Sequence, residues 1–253
     1  MRLIAHRGYS SIAPENTRAA FELALQCGAA AVECDLQRTR DDYLVVLHDG
    51  TLNRTTNGRG AVRSKSLEEL RSLSAGYANK FGSQFATERL MTFEELLLLV
   101  RHRAHLFAEI KREALARDGR DRREMIRLVH EKAMRDEVTF ISFEWNALET
   151  MRSMSPAIRL GLLFDRYRPK TMSRLAKSLH ACMLMGRVDL VVKHPEFISE
   201  AHREGLQVGA YTVDTLPFLK QLAHLGVDGV ATNRIGDFVC EFDPDNHFPP
   251  VSS

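Results

Sequence analysis

Cysteine is scarce in this chain. Its four residues, Cys27, Cys34, Cys182 and Cys240, are scattered without the close spacing of a metal site. They read as reduced, mostly buried thiols of a cytoplasmic protein. An excess of either charge is also missing. Thirty-five basic residues face 33 acidic ones, a net charge of +2, which argues against a nucleic-acid platform. No apolar run approaches the ~20 residues of a membrane span, so stable membrane insertion is not expected. The opening Met1-Arg2-Leu3-Ile4-Ala5-His6-Arg7-Gly8 leaves no room for a secretory leader, and the expected location is the cytoplasm. No internal repeat is visible. The signatures G-x-S-x-G, Walker A, G-x-G-x-x-G and H-E-x-x-H are absent, which removes direct support for several rival chemistries.

What the chain does contain is an ordinary globular composition, 44% apolar and 27% charged, over 253 residues. A parallel barrel of about 250 residues commonly forms one domain. Short apolar runs alternate with helical patterns. The expected strands are Leu3–Ala5, Ala31–Leu36, Leu44–Leu47, Leu106–Ile110, Val138–Phe143, Leu160–Phe164, Val188–Val192, Val208–Val213 and Val227–Thr232. Helical stretches between them include Glu15–Gln26, Phe93–Arg103, Arg120–Lys132, Ala147–Met154, Pro195–Glu204 and Pro217–Leu225, several stopped by a glycine such as Gly28, Gly205 or Gly226. Only seven residues, Gln37 to Tyr43, join the second run to the third, too few for a parallel crossover. Leu44–Leu47 should therefore return as a hairpin. With Asp41-Asp42 as a two-residue turn, paired positions sum to 83 and His48 falls opposite Asp35. The other eight strands can close as an α/β protein, a (β/α)8 TIM-type barrel. Residues from about 50 to 90 break the alternation. They hold a turn-rich segment and a short amphipathic helix, Ser66–Leu73, and should form an insertion at the strands' C-terminal face. Asp243–Ser253 is expected to be extended or mobile. The expected organisation is one domain over 1–253 with this insertion.

Active sites of such barrels lie at the C-terminal strand ends. Four successive segments end there in ionisable residues. These are His6-Arg7, Glu33 with Asp35, His48-Asp49, and Glu109 with Lys111. Glu33 and Asp35 are two apart and share a strand face, whereas Cys34 points towards the helices. With Glu109 they place three carboxylates in one mouth. A hard divalent cation would relieve their repulsion, and the all-oxygen donor set suits Mg²⁺ or Ca²⁺ better than zinc. His6 and His48 flank the cluster as a candidate general acid and base. Arg7 and Lys111 either contact a substrate phosphate or form ion pairs with the neighbouring carboxylates. Together these groups fit displacement at a phosphodiester, where charge grows on the phosphoryl oxygens.

The residues resemble the glycerophosphodiester phosphodiesterase family. The matching text is His6-Arg7-Gly8, Pro14-Glu15-Asn16-Thr17, Glu33-Cys34-Asp35, Leu47-His48-Asp49, Leu52-Asn53-Arg54-Thr55-Thr56-Asn57-Gly58 and Glu109-Ile110-Lys111. Ser142-Phe143 and Gly226-Val227-Asp228-Gly229-Val230 complete it. The resemblance implies a TIM-type barrel with an insertion after His48. It implies a divalent cation, Mg²⁺ or Ca²⁺ with Mn²⁺ as a further option, on Glu33, Asp35 and Glu109. It also implies acid/base work by His6 and His48, and phosphate contacts from Arg7 and Lys111. The small-molecule substrate would be a glycerophosphodiester, such as glycerophosphocholine or glycerophosphoethanolamine, cleaved to sn-glycerol 3-phosphate and an alcohol. Either water or a substrate hydroxyl attacks first. The insertion separates the chain from the related sphingomyelinase D proteins of spider-venom type.

The chain departs from the family pattern at several points. Tyr211 stands for a usual tryptophan and Asn233 for a common aspartate. Met91-Thr92 replaces proline-threonine, and Ser74-Ala75-Gly76 replaces aspartate-alanine-glycine. Phe143, His194 and Tyr211 are candidate substrate-pocket residues. Phe143 could instead be core, and His194 could belong to a strand-end turn. His102, His105, His130, His180, His202 and His224 read as surface or structural, and Arg117–Arg123 as a solvated helix start. A lysophospholipase D or another phosphodiesterase on the same barrel is the alternative enzyme. A non-catalytic barrel is disfavoured because all seven candidate positions are present.

Overall fold

In a computed structural model, residues 1–242 are described; the expected tail Asp243–Ser253 lies outside them. The chain runs β1 (Arg2–His6), α1 (Arg18–Gln26), β2 (Ala31–Arg38), β3 (Leu44–Val46), α2 (Leu67–Arg71), α3 (Ala78–Phe81), α4 (Phe93–Val100) and β4 (His105–Ile110). It continues with α5 (Arg120–Glu131), β5 (Val138–Ser142), α6 (Trp145–Met154), β6 (Arg159–Phe164), α7 (Pro169–Leu179) and β7 (Met183–Arg187). The last elements are α8 (Val188–Lys193), α9 (Glu196–Arg203), β8 (Gln207–Tyr211), α10 (Leu216–His224), β9 (Gly229–Thr232) and α11 (Ile235–Phe242).

Eight parallel strands, β1, β2 and β4 to β9, close into a barrel: β1 pairs with both β2 and β9. Period-2 alternation sorts their side chains. On β2, Val32, Cys34 and Leu36 join the core under the helices, and Ala31 joins the barrel interior with Ile4, Phe107, Ile141 and Leu163. Glu33 and Asp35 share the inward face with Ala31, so the barrel's apolar filling gives way to carboxylates towards its C-terminal mouth.

Three expectations need correcting. First, β3 does return antiparallel to β2, but the pairs Leu36–Val46, Gln37–Val45 and Arg38–Leu44 sum to 82, not 83. The loop has three residues, Arg40 to Asp42, closed by Thr39 N–H donating to Tyr43 O at 2.9 Å. Only Asp42, with φ 67°, is left-handed. A two-residue hairpin of the usual kind needs two such residues, whereas a three-residue loop needs one at its end. Asp35 therefore faces Leu47, whose N–H donates to Asp35 O at 3.0 Å. Second, Val188–Val192 is helix α8, and the sixth barrel strand is the preceding Met183–Arg187. The β-branched run mimics a strand, but tertiary packing decides. Met183 and Met185 fill the barrel interior, and Gly186 passes where an added Cβ would lie 2.2 Å from the Phe164 ring. Third, among the three cysteines whose burial is described only Cys34 is buried; Cys27 and Cys182 are partly exposed. No helix among the described residues is long and apolar enough to cross a membrane.

The segment between β3 and α4 builds a small core of its own from Leu47, Leu52, Val62, Leu67, Leu70 and Leu90 with Val45. Its helix α2 starts at a capping box, Ser66 with Glu69, and α4 starts at another, Thr92 with Glu95. The segment meets the loops that follow β1 and β3. Lys80 Nζ donates to Ser10 O at 2.7 Å, and the Arg54 guanidinium reaches Asp49 and Glu15.

Candidate active site

The loop after β1 is shaped by backbone conformations that L-residues adopt at a cost. Arg7 and Asn16 are both left-handed, with φ 59° and 60°. Between them Gly8, at φ +81°, lies so near α1 that a Cβ would sit 2.6 Å from Ala20 backbone. The turn sends Arg7 N–H to Glu33, 3.0 Å from its backbone oxygen and 3.1 Å from Oε2. It also lets the Asn16 carboxamide donate to Asp35 Oδ2 at 2.8 Å.

Glu33, Asp35 and Glu109 meet as expected for strand neighbours: each offers one oxygen, and the three lie within 4.8 Å of one another. Two cations are threaded among them. Arg7 Nε lies 3.1 Å from Asp35 Oδ2 and Arg7 Nη1 2.8 Å from Glu15 Oε1. Lys111 Nζ donates to Glu109 Oε1 at 2.6 Å and lies 2.9 Å from Asp35 Oδ1. Ion pairs with the carboxylates, one of the two readings open for Arg7 and Lys111, are thus made in this structure. Burial pushes Glu33 well above the ordinary carboxylate range, with the Asp35 charge adding to it. The same two causes lift Glu109 to about 7. Burial opposes ionisation of Asp35 as well, but Arg7 and Lys111 outweigh it and hold that carboxyl low. Asp35 Oδ1 is buried, with the Lys111 ammonium 2.9 Å away. Three crowded carboxylates, each offering an oxygen within 4.8 Å of the others, fit a hard divalent cation. Glu33, Asp35 and Glu109 could hold one.

His6 projects from the end of β1. Its Nδ1 lies 2.8 Å from Asn233 Oδ1 and its Nε2 3.9 Å from Glu33 Oε2. Burial, reinforced by the Arg7 charge, lowers it to about 4, so the ring is neutral. His48 leaves β3 one residue past the pair Asp35–Leu47. Its Nδ1 lies 2.7 Å from Asp49 Oδ1. The hydrogen bonds from Arg54, working against burial, hold Asp49 at about 2. Arg54 is itself bound to Glu15 at 2.7 Å and 2.9 Å. A chain of alternating charges therefore runs from Asp35 through Arg7, Glu15 and Arg54 to Asp49 and His48.

Phe143 and Tyr211 line a small cavity with His6, Glu33 and Glu109, their rings 6.0 Å apart at 84°. Phe143 is exposed rather than core. The Tyr211 hydroxyl donates to Phe164 O at 3.0 Å, so it is tied into the wall. His194 is not part of this lining. It stacks on Tyr167 at 4.0 Å and pairs with Glu196. Sequence reasoning assigned no role to Glu15, Asn16, Arg54 or Asp214, which hold these groups. Glu15, Asn16 and Arg54 stood within the matching motifs, which was their only signal.

Residues 6–237 match the glycerophosphoryl diester phosphodiesterase family. A glycerophosphodiester phosphodiesterase from Caldanaerobacter subterraneus subsp. tengcongensis is 34% identical over 236 residues, 91% of this chain and 93% of the relative. The crystal structure of a glycerophosphodiester phosphodiesterase from Agrobacterium tumefaciens superposes with TM-score 0.83 at 28% identity, covering 95% of this chain and 99% of that one. A phosphodiesterase from Oleispira antarctica, solved with its product sn-glycerol-3-phosphate, superposes with TM-score 0.88 at 26% identity, covering 96% and 97%. With its barrel, its acidic triad and these likenesses, the chain belongs to the glycerophosphoryl diester phosphodiesterase family, a family of enzymes.

Proposed function

We propose that this protein hydrolyses glycerophosphodiesters, such as glycerophosphocholine or glycerophosphoethanolamine, to sn-glycerol 3-phosphate and an alcohol, and that it depends on a divalent cation. The observation that carries this is the convergence of three buried carboxylates, two histidines and two cations on one barrel mouth. The sn-glycerol-3-phosphate bound by the Oleispira relative supports the product class. Residues 1–253 act on this reading as one domain, with the insertion of about 50–90 supplying Arg54 and Lys80 to the mouth.

Glu33, Asp35 and Glu109 would hold Mg²⁺, Ca²⁺ or Mn²⁺, which supplies positive charge to the phosphoryl oxygens. Arg7 and Lys111 then turn part of their charge from the carboxylates to the phosphate. One of His6 and His48 accepts the proton of the attacking oxygen. The other delivers a proton to the alcohol oxygen as its bond to phosphorus breaks. Phe143 and Tyr211 line the pocket. The sn-glycerol-3-phosphate of the Oleispira relative carries no acyl chain, which favours deacylated substrates, so lysophospholipase D activity is the lesser alternative.

The test is hydrolysis of glycerophosphocholine, followed as released glycerol 3-phosphate, after EDTA and with each metal restored. Activity lost with EDTA and returned by one metal is the expected outcome. His6→Ala and His48→Ala should each abolish turnover in a folded protein. Turnover of lysophospholipids alone would favour the alternative, and no turnover of either substrate would overturn the reading.

A further inference from the structure

Asn233 closes the last barrel strand and touches neither the carboxylate triad nor the pocket. Its carboxamide is nevertheless held at both ends. Asp214 accepts from Asn233 Nδ2 at 2.6 Å, from Asn233 backbone N–H at 2.8 Å and from Thr232 Oγ1 at 3.2 Å. Arg234 N–H donates to that same threonine hydroxyl at 3.0 Å, which turns the hydroxyl proton towards Asp214. With its Nδ2 on a carboxylate, the amide has one sensible orientation, and Oδ1 must face the other way. There it lies 2.8 Å from Ser10 Oγ and 2.8 Å from His6 Nδ1. A carbonyl oxygen only accepts. His6 Nδ1 must therefore carry the hydrogen, and in the neutral ring Nε2 must be bare.

We propose that Asn233, oriented by Asp214, is a positioning residue that locks His6 in its Nδ1–H tautomer and presents Nε2 as the proton acceptor for the attacking oxygen. The two histidines are then distinguishable: His6 is backed by a neutral amide, His48 by the Asp49 carboxylate. His6 takes a proton on Nε2, and the positive charge that forms is shared through Nδ1–H with Asn233 Oδ1. His48 is left to protonate the leaving alcohol. The lock also ties the mouth together. Ser10, whose hydroxyl lies against Asn233 and against His6 O at 2.9 Å, is pinned at its own carbonyl by Lys80 of the insertion.

This assignment rests on the proposed acid/base reading, but its first test does not. Long-range ¹⁵N–¹H correlation of the histidine rings, with His6 identified by its loss in His6→Gln, reads the tautomer directly without substrate. The expected result in the Mg²⁺-loaded protein is a pyrrole-type Nδ1 and a bare, pyridine-type Nε2. Asn233→Leu should release the tautomer and lower kcat at least about 10²-fold, the scale of general base catalysis, with KM within about twofold. Asn233→Asp alone sets two carboxylates 2.6 Å apart, at the distance now bridged by Nδ2. Combining it with Asp214→Asn reverses the pair's polarity while keeping an acceptor on His6, and should restore both the tautomer and most of kcat. An Nε2–H tautomer in the parent protein overturns the proposal. So does a released tautomer with unchanged kcat, or a double variant that folds and keeps the tautomer at the rate of Asn233→Leu. An intact lock in a protein that turns over no phosphodiester would count against the functional reading and leave the lock standing.

Discussion

Asp35 is the residue on which the site turns: two cations, a carboxamide and two further carboxylates surround it. A ligand that binds only the folded chain stabilises it by mass action, by about 2.7 kcal/mol at 100 times its dissociation constant. Mg²⁺ should therefore raise the melting temperature of the protein, and Glu109→Gln should remove most of that rise. An equal rise in the variant would take Glu109 out of the metal set. The three carboxylates were legible in the sequence because strand geometry is strict: residues two apart share a face. Their holders were not. Asn16 reaches Asp35 only because Arg7 and Asn16 adopt left-handed conformations, and nothing local marks an arginine for that conformation. Asn233 was noticed as a departure, but its role lies in Asp214 and His6, which no spacing rule connects.

At the scale of elements, long and strongly patterned pieces were readable and local ambiguities were not. The β2–β3 hairpin was foreseen from a connection too short for a crossover. Its register slipped by one because Asp41-Asp42 looks like a tight turn, while only Asp42 takes the left-handed shape. Val188–Val192 has strand composition yet forms a helix, for the sixth barrel place is filled by a methionine-rich run without a β-branched signal. The segment between β3 and α4 has a core separate from the barrel's two clusters. Leu70, fully buried in it, is a lever for that segment alone. Leu70→Ala should cost about 2–5 kcal/mol locally and speed amide exchange across residues 50–90. Exchange in β5 to β8 should change little; an equal rise there would mean that the segment and barrel open as one unit.

For the molecule as a whole, acid is the informative stress. His105 begins β4, and its Nε2 lies 2.9 Å from Thr139 Oγ1. Burial, helped by the charges of Arg159 and Arg2, lowers it from 6.5 to about 4. The native ring thus refuses a proton that the unfolded chain accepts. Its share of stability is complete above pH 6.5 and is lost as pH falls towards 4. The loss is at most about 3 kcal/mol, at 1.36 per pH unit, and partial exposure reduces it. Urea unfolding at pH 7 and pH 4.5 should show a smaller loss in His105→Gln than in the parent; identical losses would sink the assignment. The sequence pattern sufficed for the barrel because strand and helix alternate over nearly the whole chain. Details of closure came from pairings it does not encode locally, above all β1 with β9.

That seam has a consequence for how the enzyme comes into being. His6 and its amide partner are 227 residues apart, at the ends of the first and last strands of the barrel. At roughly 5–20 residues per second, a ribosome makes Asn233 tens of seconds or less after His6. On the proposed assignment, the nascent chain until then would carry every carboxylate of the triad but no completed base. If Asn233 sets the base, hydrolytic competence would be withheld from growing and truncated chains and would arrive with the strand that closes the barrel.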